Sequence, residues 1–226
     1  MFQGFSQAAV DFLWGIRFNN ERSWFLAHKE EYHTLVEAPL RQLAAQIGQA
    51  MAEEFPELGL EVKVSRIYRD ARRLHGRGPY KDHLWLCVEQ PAEQWTAHPT
   101  FWFELTPDGW SYGLGYYMAK PLTMAKLRAR MDRDPKPMER LTRDLERQTE
   151  FSLEAENYKR PRSAPSRPAL APWYQAKSFA ITHQDKLTDE LFCRDIVEHL
   201  KQGFSFLLPY YDYFVALDGD PDPREL

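Results

Sequence analysis

The spacing of apolar residues changes from helical to strand-like near residue 60, and this change limits the fold more than any other feature. In ERSWFLAHKEEYHTLV, the residues Phe25, Lys29, Tyr32 and Val36 lie four, three and four positions apart, which is typical of one helix face. From Leu60 the period becomes two, as in a strand. Further strand-like segments follow in HLWLCVEQ, HPTFWFELT, WSYGLGYYM and KSFAIT.

Helices on both sides of a block of strands predict an α+β fold. We expect a single domain over residues 1–226, with a mostly antiparallel sheet of about five strands packed against N-terminal and C-terminal helices. With 43% hydrophobic residues the chain has enough apolar area for one sizeable core. The expected parts are helices at 5–55, strands at 60–118, helices and a Pro-rich connection at 121–176, a strand and helices at 177–217, and an acidic tail at 218–226.

Composition excludes several classes of protein. A formal net charge of -4 argues against a protein whose whole surface binds nucleic acid. The two cysteines have no metal or redox spacing, so we expect a reducing compartment, the cytoplasm. The first residues lack the pattern of a secretory leader, and the run FSFLLPYYDYFVAL is too short and interrupted to span a bilayer, so we expect no membrane partner.

The segment RIYRDARRLHGRGPYK, residues 66–81, carries the strongest charge asymmetry. Between Lys63 and Lys81 there are seven basic residues and one acidic residue, out of 29 and 33 in the chain, so this segment is +6 and the remainder -10. The planar fork of arginine matches the oxygens of phosphate or carboxylate, and glycines let backbone N–H groups approach an anion. The pattern therefore predicts an anion site at Arg66, Arg69, Arg72 and Lys81, with Lys29 behind them.

Other interpretations of the same segment stay open at this point. Runs of surface charge are usually solvated or paired with acidic residues, and the chain has acidic residues in excess. LHGRGPYK also lacks the spacing of the P-loop that binds nucleotide phosphates. The segment indicates an anion without specifying a nucleotide.

The order of several motifs resembles the domain of unknown function 2461 family. These motifs are FNNERSWFLAHKEEY, RIYRDARRLHGRGPYK, GLGYYMAKPL with KLRARM, NYKRP and KSF, and together they span nearly the whole chain. The resemblance implies an α+β single domain and no established activity. The signature residues that it implies here are Asn19, Asn20, Trp24, Phe25, Lys29, Tyr32, Arg66, Arg69, Asp70, Arg72, Pro79, Tyr80, Lys81 and Arg128. Where members of the family usually read RFSKDKxPYK, this chain reads RRLHGRGPYK, which keeps the positive charge and the Pro-Tyr-Lys turn.

Two of these residues, Asp70 and Lys29, have competing interpretations. Asp70 either orients a neighbouring arginine through a buried or half-buried pair, or acts as a general base in a cleft. Tyr80 completes the predicted ligand-binding set. Lys29 either lays its stem on the core and reaches water, or points into the anion site. No acid/base or nucleophile set stands out beyond Asp70 and Tyr80, so the sequence leaves catalysis open.

The histidines form no recognisable metal set, so we expect neither a metal nor a cofactor. Three functions compete for the segment: binding of a small phosphate- or carboxylate-bearing molecule, binding of single-stranded nucleic acid together with YKRPRSAPSR and exposed aromatic residues, and a scaffold role in which the arginines pair internally. We rank them in that order, and the oligomeric state is not predicted.

Overall fold

The computed structural model describes residues 1–70, 72, 74, 76–92, 98–160 and 167–225. It is an α+β structure with an open, antiparallel six-stranded sheet in the order β1-β2-β3-β4-β6-β5, which confirms the predicted fold class and adds one strand to the expected five. The strands are β1 (Glu61–Val64), β2 (Leu84–Glu89), β3 (Pro99–Leu105), β4 (Trp110–Tyr116), β5 (Ser152–Asn157) and β6 (Ala176–Asp185).

The additional strand is β5, in a stretch predicted to be helical or irregular. Its sequence, SLEAEN, is almost entirely exposed and lies at the edge of the sheet, paired with β6. An exposed edge strand needs no apolar alternation, because neither of its faces is covered by a core. Its pairing therefore depends on β6 and has no signal of its own in the sequence.

The N-terminal helices are α1 (Gln7–Phe18), α2 (Arg22–Ala27), α3 (Lys29–Glu31) and α4 (Ala38–Glu54), with a π-helical turn at Tyr32–Glu37 before α4. Ser6 caps α1, its hydroxyl accepting a hydrogen bond from the Ala9 N–H at 3.2 Å. Helix α4 packs on β1 so closely that Gly48 leaves no room for a side chain beside Val62.

The second predicted helix is interrupted at His28, which separates α2 from α3. Phe25 and Tyr32 are buried as predicted, whereas Lys29 between them is exposed. A break in the helix rotates the following residues about its axis, so the regular spacing around Lys29 does not place it on the apolar face.

The remaining helices are α5 (Pro121–Arg133), α6 (Lys136–Glu146), α7 (Ala171–Gln175) and α8 (Ile196–Val215). In the C-terminal region, where helices were predicted, α8 is one continuous helix that contains Pro209. Among the described residues, none of the helices combines the length and apolar character needed to cross a bilayer.

The Cα positions group into two compact units. Unit 1 comprises Met1–Gln90, Trp102–Tyr112 and Gln184–Gly203, and unit 2 comprises Pro91–Phe101, Gly113–His183 and Phe204–Leu226. The predicted single domain stays a prediction.

Each unit has its own aromatic contacts. In unit 1, the ring of Phe5 stacks on that of Phe103 with centroids 6.0 Å apart. In unit 2, Phe179 lies 4.9 Å from Phe214 and 5.2 Å from Trp173, measured between ring centroids. Buried aromatic rings of this kind contribute more apolar area per residue than any other side chain.

Candidate functional site

The two ends of the basic segment are joined by backbone hydrogen bonds within unit 1. Beyond β1, Tyr68 pairs with Tyr80 in an isolated antiparallel bridge. The Arg69 N–H donates to the Pro79 carbonyl at 2.8 Å, and the Lys81 N–H donates to the Ile67 carbonyl at 2.7 Å. The bridge thus holds the beginning and the end of the segment side by side.

Tyr80 is anchored to the N-terminal helices by Asn20. The Asn20 amide donates to the Tyr80 carbonyl and accepts from the Tyr80 N–H, both at 2.9 Å. A side chain at Gly78 would collide with the Asn20 amide, so only glycine fits here. The Tyr80 ring is buried and stacks on Phe25 with centroids 4.3 Å apart. Tyr80 therefore fastens the turn to the helices.

Arg69 and Asp82 form the centre of a half-buried ion-pair network. The Arg69 side chain is 15% exposed, and it donates to the Tyr80 carbonyl at 2.7 Å and to Asp82 at 3.1 Å. Asp82 also accepts from Arg17 of α1 at 2.6 Å and contacts His83 at 3.2 Å. Burial opposes ionisation of Asp82, but the hydrogen bonds from Arg17, its own N–H and His83 outweigh it and hold its pKa below the usual value.

Lys81 and Arg66 lie beside this network. The Lys81 ammonium donates to the Arg66 carbonyl at 2.7 Å and lies 5.7 Å from the centroid of the Trp85 ring. Burial, and after it the positive charges of Arg66 and Arg69, lower the pKa of Lys81. The Arg66 side chain is exposed and makes no hydrogen bond or ion pair with the described part of the chain. We call Arg66, Arg69 and Lys81 the basic cluster.

A carboxyl group, Glu104 of β3, lies next to the cluster. Burial is the largest effect on Glu104 and raises its pKa, Asp82 adds to this, and His83 and Lys81 oppose it. The His83 ring nitrogen Nε2 is 3.9 Å from the Glu104 carboxylate, which accepts no hydrogen bond from the described residues. The site therefore combines positive charges with two carboxyl groups whose pKa values are shifted in opposite directions.

Three of the predicted site residues lie apart from the cluster. Asp70 accepts hydrogen bonds from the backbone and side chain of Arg72, and this pair is exposed, the Arg72 side chain by 88%. Asp70 therefore pairs with a neighbouring arginine, as one interpretation expected, but this pair is exposed rather than buried, and the Asp70 side chain itself is 37% exposed. The exposed Lys29 side chain makes no hydrogen bond or ion pair within the described ranges.

Arg128, another signature residue, has its place in unit 2. It is buried, and its guanidinium donates to the carbonyls of Tyr174 and Ala176, both at 3.4 Å. The guanidinium also lies 5.8 Å from the centroid of the Tyr158 ring. The two hydrogen bonds hold the end of α7 and the start of β6 against α5, so the position of Arg128 is explained by the structure of unit 2 itself.

Parts of both basic stretches are not described. Ala71, Arg73 and His75 of the loop, and residues 161–166 of YKRPRSAPSR, lie outside the described residues. Two surface depressions are found in unit 2, one lined by residues of α6 and one by α5 together with the segment from Asp220 to Pro223. Neither of them is lined by a residue of the basic cluster.

The sequence interpretation missed four residues of the site: Arg17, Asp82, His83 and Glu104. Asp82 and His83 directly follow the Pro-Tyr-Lys turn, so the polar triplet that they form with Lys81 before an apolar strand was a usable signal. Arg17 lies 65 positions from Asp82, and Glu104 lies 21 positions from His83. Only the fold brings these residues together.

The sequence model of a family described as "Conserved hypothetical protein (DUF2461)" matches residues 8–213. The chain belongs to the DUF2461 family. A search of curated proteins finds no match.

In this DUF2461 protein, two motifs that are far apart in the sequence meet. FNNERSWF supplies Asn20 and Phe25, and GPYK supplies Gly78 and Tyr80, which Asn20 and Phe25 contact. The two motifs thus pack together, and the basic cluster is joined to them by the hydrogen bond from Arg69 to the Tyr80 carbonyl.

Proposed function

We propose that this DUF2461 protein binds a small phosphate- or carboxylate-bearing molecule at Arg66 and Lys81. The supporting observation is the positive charge at these two residues, neither of which forms an ion pair within the described part of the chain. Arg66 has no side-chain partner in the described part of the chain, and burial together with neighbouring positive charge lowers the pKa of Lys81. An anion between the two side chains would offset this repulsion and accept charge-assisted hydrogen bonds from both.

The other two arginines of the predicted set have different roles in this proposal. Arg69 is already bonded to Asp82 and the Tyr80 carbonyl, so it supports the turn and adds positive potential. Arg72 is bonded to Asp70 in solvent, where an exposed pair contributes little. The affinity for the ligand is therefore expected to depend on Arg66 and Lys81 more than on Arg72.

The proposal predicts the effect of Arg66→Ala on phosphate binding. Isothermal titration calorimetry with inorganic phosphate should show binding to the unmodified protein and about a tenfold weaker affinity in the variant, because one charge-assisted contact is lost. Arg194→Ala is the control, since Arg194 is an exposed arginine of the same unit outside the cluster. Equal losses in both variants, or no heat with phosphate, citrate or sulfate, would contradict the proposal.

Lys81 makes a separate prediction about pH. Sulfate keeps its charge from neutral to alkaline pH, so a change in its affinity reports on the protein. The ammonium form of Lys81 binds the anion, and its pKa lies below the usual 10.5. Sulfate affinity should therefore fall as the pH rises through this lowered pKa. Lys81→Met should bind sulfate more weakly at neutral pH and lose the Lys81-dependent part of the decline, and an unchanged alkaline profile would exclude Lys81 as a ligand.

The scaffold alternative makes the opposite prediction. If the arginines only hold the fold, anion binding should be undetectable both in the unmodified protein and in Arg66→Ala. In that case Arg69→Ala alone would change the protein, by lowering its stability. The network of Arg69, Asp82 and Arg17 already accounts for the structural role of arginine in this region.

A further inference from the structure

Tyr68 is an exposed aromatic residue whose ring is supported from inside the protein. Its side chain is 54% exposed, whereas its two ring neighbours, Phe25 and Tyr80, are almost fully buried. The Tyr68 ring meets Phe25 edge-on at 5.8 Å and Tyr80 at 5.4 Å, measured between centroids. One side of the ring is thus packed on the core while much of its surface remains open to solvent.

The backbone under this ring is held on both sides. Tyr68 forms the bridge with Tyr80, and the hydrogen bonds of Arg69 with Pro79 and of Lys81 with Ile67 flank it. Asn20 in turn fixes Tyr80. A ring held in this way loses little conformational freedom when a ligand stacks on it, which lowers the entropic cost of binding.

Positive charge lies close to the exposed ring. Burial alternates from Ser65 to Tyr68, with Ser65 and Ile67 buried and Arg66 and Tyr68 exposed, so the latter two share the outward side. Arg66 and Tyr68 are two residues apart, with a bend of the backbone at Ile67 between them. Burial and then Tyr68 raise the pKa of the Tyr80 hydroxyl, and the charge of Arg22 opposes them, so a second arginine lies near these rings. An open aromatic face beside arginines matches an aromatic base joined to a phosphate.

We infer that Tyr68 is a stacking surface for the base of a nucleotide-type ligand whose phosphate is bound by Arg66. This inference rests on the proposed function, because it uses the same anion site and narrows the class of ligand to phosphates that carry a planar ring. A free mononucleotide and a single-stranded oligonucleotide both offer this chemistry.

The test compares ligands with and without the ring. Adenosine 5′-monophosphate and ribose 5-phosphate are titrated into the protein at the same pH and salt concentration. Stacking on one aromatic side chain should make the nucleotide bind about tenfold more tightly than the sugar phosphate. Tyr68→Ala should reduce this ratio to near one and leave the affinity for ribose 5-phosphate unchanged. Tyr117→Ala is the matched control, since Tyr117 is a 65% exposed tyrosine of unit 2.

A second variant protects the test against loss of fold. Tyr68→Leu keeps apolar contacts with Phe25 and Tyr80 but removes the flat aromatic face, so it should bind the nucleotide as weakly as Tyr68→Ala does. Melting curves of each variant report whether it is folded. A nucleotide that binds Tyr68→Leu as tightly as the unmodified protein overturns the inference.

The outcomes separate this inference from the proposed function. If both ligands bind equally and Arg66→Ala weakens both, anion binding stands and stacking on Tyr68 is overturned. If neither ligand binds, both proposals fail. Binding that depends on Tyr68 supports the inference. The kind of ligand is then identified by comparing a ten-residue oligothymidylate with thymidine 5′-monophosphate. Tighter binding of the oligonucleotide with a steep salt dependence indicates a single strand, and equal affinity indicates a mononucleotide.

Discussion

Replacing Asn20 with Ala is expected to lower the free energy of unfolding by about 3 kcal/mol. The substitution removes both hydrogen bonds to the Tyr80 backbone and leaves the Tyr80 N–H without its partner beneath the packed ring. It also opens a space beside Gly78, where the chain approaches the amide most closely. Urea denaturation followed by far-UV circular dichroism measures the change.

Asn19→Ala is the control for this experiment. Asn19 is exposed, and among the described residues its amide donates to the Gly15 carbonyl of its own helix end alone, at 3.0 Å. Its replacement should cost less than about 1 kcal/mol. Similar losses for the two variants would mean that Asn20 contributes as an ordinary surface residue, contrary to the anchoring role.

Asp82→Asn is expected to lower the free energy of unfolding at pH 7 by about 2 kcal/mol. Asp82 is 20% exposed and pairs with both Arg17 and Arg69, so the neutral amide leaves two half-buried arginines with weaker partners. Because a negative charge is removed beside the basic cluster, sulfate should bind the variant at least as tightly as the unmodified protein. Loss of sulfate binding in a folded Asp82→Asn protein would contradict the proposed arrangement.

The difference in unfolding free energy between the unmodified protein and Asp82→Asn should also depend on pH. The pKa of Asp82 is lower in the folded protein than its usual value of 3.8, so its stabilising effect is complete above that value. It is lost as the pH falls through the lowered pKa of the folded state. The difference between the two proteins should therefore be constant from pH 7 to about pH 5 and shrink below pH 4. Asp108→Asn is the control, since Asp108 also pairs with Arg17 but is mostly exposed.

The fold could be predicted where local pattern and burial agree. Helical spacing placed α1 and α4, and alternation placed β2, β3 and β4, because in each of these the apolar residues face the core that forms. The edge strand β5 was missed, since its exposed residues carry no alternation that burial would impose. Lys29 was placed on an apolar face because the break at His28 depends on packing that no local pattern records.

The candidate site could be predicted only as a charged segment. An Asn just before a helix suits the capping position by local pattern. In the structure Glu21 takes that position at α2, and the Asn20 amide binds Tyr80, 60 positions away. Asp70 does pair with an arginine beside it in the sequence, Arg72, but the acidic residue that holds Arg69 and Arg17 is Asp82, which the sequence did not indicate. Short-range pattern does not distinguish among the acidic residues of a chain when several lie within reach of an arginine.

The sequence by itself determined the α+β class, the family and the concentration of positive charge at 66–81, because these follow from the period of apolar residues, the order of motifs and a count of charges. Only the tertiary structure decided which charges remain available. Arg69 is engaged by Asp82 and the Tyr80 carbonyl, Arg72 is drawn into solvent with Asp70, and Arg66 is left beside Lys81 and an exposed tyrosine. Ion pairs depend on distances of a few ångströms between residues that are far apart in the chain, and those distances exist only after folding.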